Sequence, residues 1–174
     1  WYLNMDVLAA AGYRVTAPDA PNYGRSVVEG GSVKATDFLP AFMDHLGIDK
    51  AHLAGNSMGG MTAMGLGLNH PERLLSVTIA NSRADTTPEF RDMFDARIAL
   101  ALAEVMAPLV ETTIARWFTE ELRENAPAFL DDVREMVRTT PPEGYAGCAR
   151  AVQHVDYMTR LGSIDKPVLL IAGA

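Results

Sequence analysis

Cysteine is nearly absent from this chain. Its 174 residues hold one, Cys148, which excludes an internal disulfide and fits a reducing compartment, so a cytoplasmic location is expected. Histidine is scarce, at four residues. No zinc signature, P-loop or dinucleotide fingerprint is present, so no metal site and no cofactor are expected. Basic charge is in deficit. Fifteen Lys and Arg face 22 Asp and Glu, a net charge of −7. Such a surface repels phosphate backbones, and no nucleic-acid partner is expected. Long apolar runs are missing too. The longest stretch without Asp, Glu, Lys or Arg, Ala51 to Pro71, could span a bilayer by length alone. Its glycines, together with His52, Asn56, Ser57, Asn69 and His70, exclude that reading, so no membrane partner is expected. Residues 1–12 carry neither the basic start nor the apolar core of a secretory signal. Repeats and low-complexity tracts are lacking.

What remains is an ordinary globular balance, 48% hydrophobic and 21% charged. The length suits one domain with an insertion. Residues 3–11 have a helical pattern stopped by Gly12. Tyr13 to Ala17 predicts a short strand, followed by a Pro-, Asn- and Gly-rich loop to Gly31. Ser32 is a candidate cap for a helix to about Leu46, with Phe38, Leu39, Phe42 and Leu46 on one face. Ala51–Gly55 predicts a second strand, Met58–Asn69 a small-residue helix, Leu74–Ala80 a third strand and Pro167–Ala172 a fourth, buried one. Alternation of strand and helix indicates an α/β fold with a parallel sheet. Between the last two strands the composition turns helical and charged. Thr86-x-x-Glu89 resembles a capping box, and Pro108, Pro127 and Pro141-Pro142 divide the remainder into several helices. A simple crossover needs one helix, so residues 83–165 are expected to form an inserted cap over one end of the sheet, between core segments 1–82 and 166–174.

One string carries chemistry. Gly55-Asn56-Ser57-Met58-Gly59-Gly60 follows a predicted strand and opens a predicted helix, the G-x-S-x-G arrangement of a nucleophile elbow. A sharp reversal there brings strand end and helix start together, so side chains at Gly55 and Gly59 are expected to clash. Gly65 and Gly67 would let the helix sit close to the sheet. The turn would hold Ser57 strained with its hydroxyl projecting, and free the Met58 amide for a developing oxyanion. An innocent serine in a tight turn is the alternative. A nucleophilic serine needs a histidine base and an acid to orient it. His45 and His52 precede Ser57, His70 sits at the far end of the helix, and His154 falls in the helical segment; none is well placed.

The pattern resembles the α/β-hydrolase superfamily. Arg14 to Asp19, ending in Gly24-Arg25-Ser26, resembles the family's strand and loop, with Pro21-Asn22-Tyr23 in place of the commoner Arg-Gly-His. Within the superfamily the chain is most similar to 3-oxoadipate enol-lactonases. The resemblance lies in Ile79-Ala-Asn-Ser82, Ala115-Arg-Trp-Phe118 and, most specifically, Thr139-Thr-Pro-Pro-Glu-Gly-Tyr-Ala-Gly-Cys148. The resemblance implies a partial α/β-hydrolase fold lacking its first strands and its last strand and helix, a chain cut at both ends. It implies that Ser57 is the nucleophile and the Met58 amide one oxyanion donor. The acid, the histidine and the second donor would lie outside this chain. Asp19 would be a structural carboxylate pairing with Arg25, and Asn81 and Trp117 are candidate substrate contacts. A missing neighbour strand would leave two apolar edges facing a gap, and a fragment unstable on its own. The implied reaction is hydrolysis of a small ester or lactone. Carbon–carbon bond hydrolysis of meta-cleavage products and a non-catalytic, hydrolase-derived binding module are the alternatives.

Overall fold

The computed structural model describes residues 1–26 and 35–173. The expected cap at Ser32 lies outside them. Three parallel strands, β1 (Ala51–Asn56), β2 (Leu74–Ala80) and β3 (Val168–Ile171), pair in that order. β1 and β2 run in register from Ala51 opposite Leu74 to Asn56 opposite Ala80, with one irregularity after Ala51. β3 joins from Val168 opposite Val77 to Ile171 opposite Ala80. Helix α1 (Tyr2–Ala10) stops before Gly12, whose φ of +91° suits a residue without a Cβ. Helix α2 (Ala35–His45) is followed by Gly47 at φ +64°. Helix α3 (Met58–Asn69) crosses from β1 to β2 and packs on both strands.

Two sequence expectations fail in this part. Residues 13–17 form no strand, because they find no ladder partner; Tyr13 instead sets its ring edge against His52 on β1, with centroids 6.0 Å apart. β3 pairs as expected but is not buried. All four of its residues are exposed, Leu170 at 72%, because among the described residues its main packing is the ladder with β2.

The segment between β2 and β3 folds into α4 (Pro88–Glu104), α5 (Val110–Trp117), α6 (Glu120–Asn125), α7 (Pro127–Arg138) and α8 (Pro142–Gln153). Pro88, Pro127 and Pro142 each open their helix, where a missing N–H costs nothing. The cap of α4 is Thr87, one residue later than the sequence suggested: its Oγ accepts from the Phe90 amide at 3.3 Å. Hydrogen bonds from its own backbone and from Thr87 hold the exposed Glu89 carboxyl below its ordinary range. Thr86 is buried instead, donating to the Gln153 carbonyl at 2.9 Å and so tying the start of α4 to the end of α8.

Two main apolar clusters result. One joins α3 and β2 (Met64, Leu66, Val77) to Ala84, Val152 and Val155 from the helical segment. The other lies wholly among the helices, around Met106, Leu109, Ile114, Leu130 and Val133. Long α4 and α8 pack against each other and link the two. Among the described residues no helix is long and apolar enough to cross a membrane.

Candidate active site

β1 ends in a reversal that only one local sequence type permits. A Cβ on Gly55 would overlap the Gly59 carbonyl and the Gly60 amide. The expected counterpart at Gly59 is absent: a Cβ there meets open space. The close approach runs between the Cα of Gly55 and the main chain of Gly59, so one missing side chain relieves it. Gly60 is the second constrained position, because a Cβ would strike the Ser82 side chain. Gly67 faces Ile164 in ordinary contact rather than the sheet.

Ser57 sits at the tip of this turn with φ +51° and ψ −115°, a conformation that costs a non-glycine residue about 1–3 kcal/mol. Its backbone is clamped from three sides. The Ser57 N–H donates to Ala80 O at 2.9 Å, and Ser57 O accepts from Gly60 N at 2.9 Å and from the Ser82 hydroxyl at 2.7 Å. Its own hydroxyl has no partner among the described residues and is exposed. The Met58 N–H is the first of α3 and has no backbone acceptor there. A helix start of this kind concentrates partial positive charge.

Above the turn lies a cavity of about 620 Å³. Its floor is Asn56, Ser57 and Met58; its walls come from α4, α5, α7 and α8, with Trp1 and Trp117 at half-exposed positions. Trp117, expected from the sequence as a substrate contact, is among the residues lining this cavity. Asn81 does not line this space. At φ +45°, it uses its side chain as a bracket: Nδ2 donates to Asn56 Oδ1 at 3.2 Å and Oδ1 accepts from the Gly173 amide at 2.9 Å. Asp19 also differs from expectation. Its carboxylate accepts the Arg25 backbone amide at 3.0 Å, not the guanidinium, and lies against Gly24, whose φ is +50°.

No histidine lines the cavity among the described residues. His52 Nδ1 is 2.7 Å from Ser76 Oγ, His70 lies beside Glu72 and His154 Nδ1 is 2.7 Å from the Arg150 carbonyl. His45 ends α2. The described residues also hold no group of three His, Cys, Asp or Glu able to bind a metal.

The polar wall opposite Ser57 was not foreseen. Arg97 on α4 donates from Nε to the Tyr145 hydroxyl at 2.8 Å and from Nη2 to Thr113 Oγ1 at 2.9 Å. Among the described residues, Arg116 on α5 has one hydrogen-bond contact, to the Met93 sulfur at 4.0 Å. Desolvation, and then the Arg97 charge, depress the Arg116 pKa. Burial pushes the Tyr23 hydroxyl far above the ordinary phenol range, helped by neighbouring Cys148 and Tyr145, and burial likewise raises the Cys148 thiol. A signal for Arg97 existed. It lies on the same helical stripe as Phe90, Phe94 and Ala101, a charge on an otherwise inward-facing apolar row. Tyr23 arrives through the loop, which docks on α8 where Gly144 leaves room; a Cβ there would strike the Asn22 carbonyl.

Comparison with known proteins agrees with this architecture. The family described as alpha/beta hydrolase fold matches residues 1–174. Over 165 residues, the chain is 36% identical to 3-oxoadipate enol-lactonase 1 of Acinetobacter baylyi, covering 93% of this chain and 61% of that protein. It is 32% identical over 190 residues to a 2-hydroxy-6-oxononadienedioate/2-hydroxy-6-oxononatrienedioate hydrolase of Paraburkholderia phymatum, covering 99% of this chain and 64% of the relative. The crystal structure of the enol-lactonase from Burkholderia xenovorans LB400 superposes with a TM-score of 0.83 at 31% identity, over 90% of this chain and 60% of that one. The chain thus spans about three fifths of the length of these proteins. With a sharp strand-to-helix turn after β1, a parallel sheet and a match along its whole length, this chain belongs to the α/β-hydrolase fold family.

Proposed function

We propose that this chain is the nucleophile-bearing part of a serine hydrolase of small carboxylic esters or lactones, similar to 3-oxoadipate enol-lactonases. The observation that carries the reading is Ser57: a strained, exposed serine whose backbone is fixed and whose hydroxyl has no partner among the described residues, at the floor of a cavity. Residues 83–165 serve as a cap, with Trp117 as a wall against the substrate. In the reaction Ser57 Oγ attacks the carbonyl carbon and transfers its proton to a base. The oxyanion accepts from the Met58 N–H, aligned by the start of α3. Collapse expels the alcohol, or for an enol-lactone an enol that becomes a ketone on the same acyl chain. Water then releases the acyl group from Ser57. The base and its acid come from outside the described cavity wall, so this chain alone is expected to turn over substrate poorly.

A carbon–carbon bond hydrolase using the same Ser57 is the second reading, favoured by the Paraburkholderia relative, which matches 99% of the chain. Turnover by the full gene product of a 4-nitrophenyl ester, an enol-lactone and a ketonised dienol separates the two. Ser57→Ala should lower hydrolysis at least about 10³-fold with an unchanged circular dichroism spectrum. An acyl adduct mapped by mass spectrometry to another residue, or turnover that survives Ser57→Ala, overturns the assignment.

A further inference from the structure

The Ser57 carbonyl and the Met58 N–H are the two polar ends of one peptide unit. That peptide is trans and planar, so the two ends point in opposite directions. Whatever fixes the carbonyl therefore fixes the amide. The carbonyl accepts three hydrogen bonds, from Gly60 N at 2.9 Å, Met61 N at 3.2 Å and the Ser82 hydroxyl at 2.7 Å. The first two come from the first turn of α3, as a residue that opens a helix ordinarily receives. The third is the shortest and comes from another element. A Cβ on Gly60 would strike the Ser82 side chain, so the start of α3 leaves a place for it. Ser82 stands on a braced segment. Ala80 O accepts from Ser57 N at 2.9 Å, and Asn81 N donates to Ile171 O at 2.8 Å, while the Asn81 side chain spans Asn56 and Gly173. Ser82 is not among the residues lining the cavity, so it lies behind the turn, away from a substrate.

We propose that Ser82 is a positioning residue for the oxyanion donor: through the shared peptide, its hydroxyl aims the Met58 N–H into the cavity and strengthens it. The inference rests on the reading of Ser57 as the nucleophile. The aim follows from planarity, because a carbonyl drawn back towards Ser82 turns its amide forward. The added strength follows from polarisation. A hydrogen bond accepted by an amide oxygen draws electron density from the nitrogen of the same amide, and its N–H becomes a better donor. The bond also ties the donor to the sheet through β2, not to α3 alone. An amide held in place before charge develops needs no reorganisation when it does. Ser82 itself touches no reacting atom and gives up no proton.

The test uses the full gene product with a 4-nitrophenyl ester. Ser82→Ala removes one oxygen and leaves the carbonyl its two helix donors, so the fold should survive. Its kcat should fall about tenfold, a fraction of the roughly 10²–10³-fold that loss of an oxyanion donor costs. KM should stay within about twofold, since the interaction is made in the transition state. Ser82→Thr, which keeps the hydroxyl, should restore most of kcat. Ser82→Cys, which fills the place with a weak donor, should fall between and serves in place of Ser82→Ala if that variant misfolds. A second readout isolates the oxyanion. The adduct of Ser57 with 1,1,1-trifluoro-2-hexanone carries a hemiketal oxygen at the oxyanion position, and its ionisation is followed by fluorine NMR. In Ser82→Ala that oxygen should ionise about one pH unit higher, the counterpart of tenfold in kcat. A side chain that merely supports the turn would not move it. An unchanged kcat, a loss carried by KM, or a fall in kcat with the hemiketal titration unmoved overturns the role of Ser82 and leaves Ser57 standing. Turnover that survives Ser57→Ala, or a parent protein that forms no adduct, removes the nucleophile and this inference with it.

Discussion

The turn after β1 and the helices above it build two halves of one cavity by opposite means. The turn is made by main chain: Gly55 without a Cβ, Ser57 at positive φ, and hydrogen bonds to the Ala80 carbonyl and from the Ser82 hydroxyl that hold its backbone. Six consecutive residues define it. The opposite wall is made by side chains from separate elements, Tyr23 in a loop, Arg97 on α4, Thr113 and Arg116 on α5, Tyr145 and Cys148 on α8. The difference teaches where each half is vulnerable. The turn fails through one misplaced atom, and the wall through loosened packing.

The largest effect expected on this contrast is Gly55→Ala. Its Cβ must displace the Gly59 main chain, so a loss of about 3 kcal/mol or more is expected in urea unfolding. Gly59→Ala, pointing into open space, should change stability by less than about 1 kcal/mol. Equal effects at the two positions would show that the turn is held by something other than this contact. Next is Leu130→Ala in the helical cluster, where the side chain is fully buried; a loss of about 2–4 kcal/mol is expected. Hydrogen exchange should quicken in α5 and α7 and stay unchanged in α3, sharpening the division between the halves. A smaller effect of opposite sign is expected from Ser57→Gly, which relieves the positive φ and should raise stability by about 1 kcal/mol.

The smallest effect is a pH dependence of the wall. Tyr23 and Cys148 have pKa values raised in the folded state, chiefly by burial. Each favours its protonated form when folded, so the stability it contributes is complete below its unfolded pKa. It is lost as pH rises through the ordinary thiol range and then the phenol range. The urea midpoint should fall between about pH 8 and pH 11, and Cys148→Ala should remove the earlier part of that fall. A midpoint flat across this interval breaks the account of both groups.

The same contrast explains what sequence could reveal. Met58–Asn69 and Leu74–Ala80 were legible to the residue, because glycine, proline and apolar runs punctuate them locally. The sharp turn after β1 was legible for the same reason, although the clash assigned to Gly59 belongs to Gly55 and Gly60. Tyr13–Ala17 misled because a strand is defined by its partner, and local β-propensity cannot supply one. Asn81 misled because the end of a strand is also where its neighbours need tying; its amide spans Asn56 and Gly173. The arginine wall stayed hidden because Arg97 and Tyr145 are 48 residues apart and meet only when α4 packs on α8. Trp117 was singled out through resemblance rather than spacing.

The seat of the Tyr23 loop on α8 has a consequence for how such a protein can change. With the Asn22 carbonyl occupying the place of a side chain at Gly144, positions 22 and 144 are one unit of variation. A library that randomises residues 21–25 explores new cavity shapes only on a background that keeps Gly144. A substitution at 144 that is ruinous with this loop becomes acceptable with one whose backbone stands further off. Reshaping the pocket from the loop side is thus an epistatic problem, and the helix holds half of its solution.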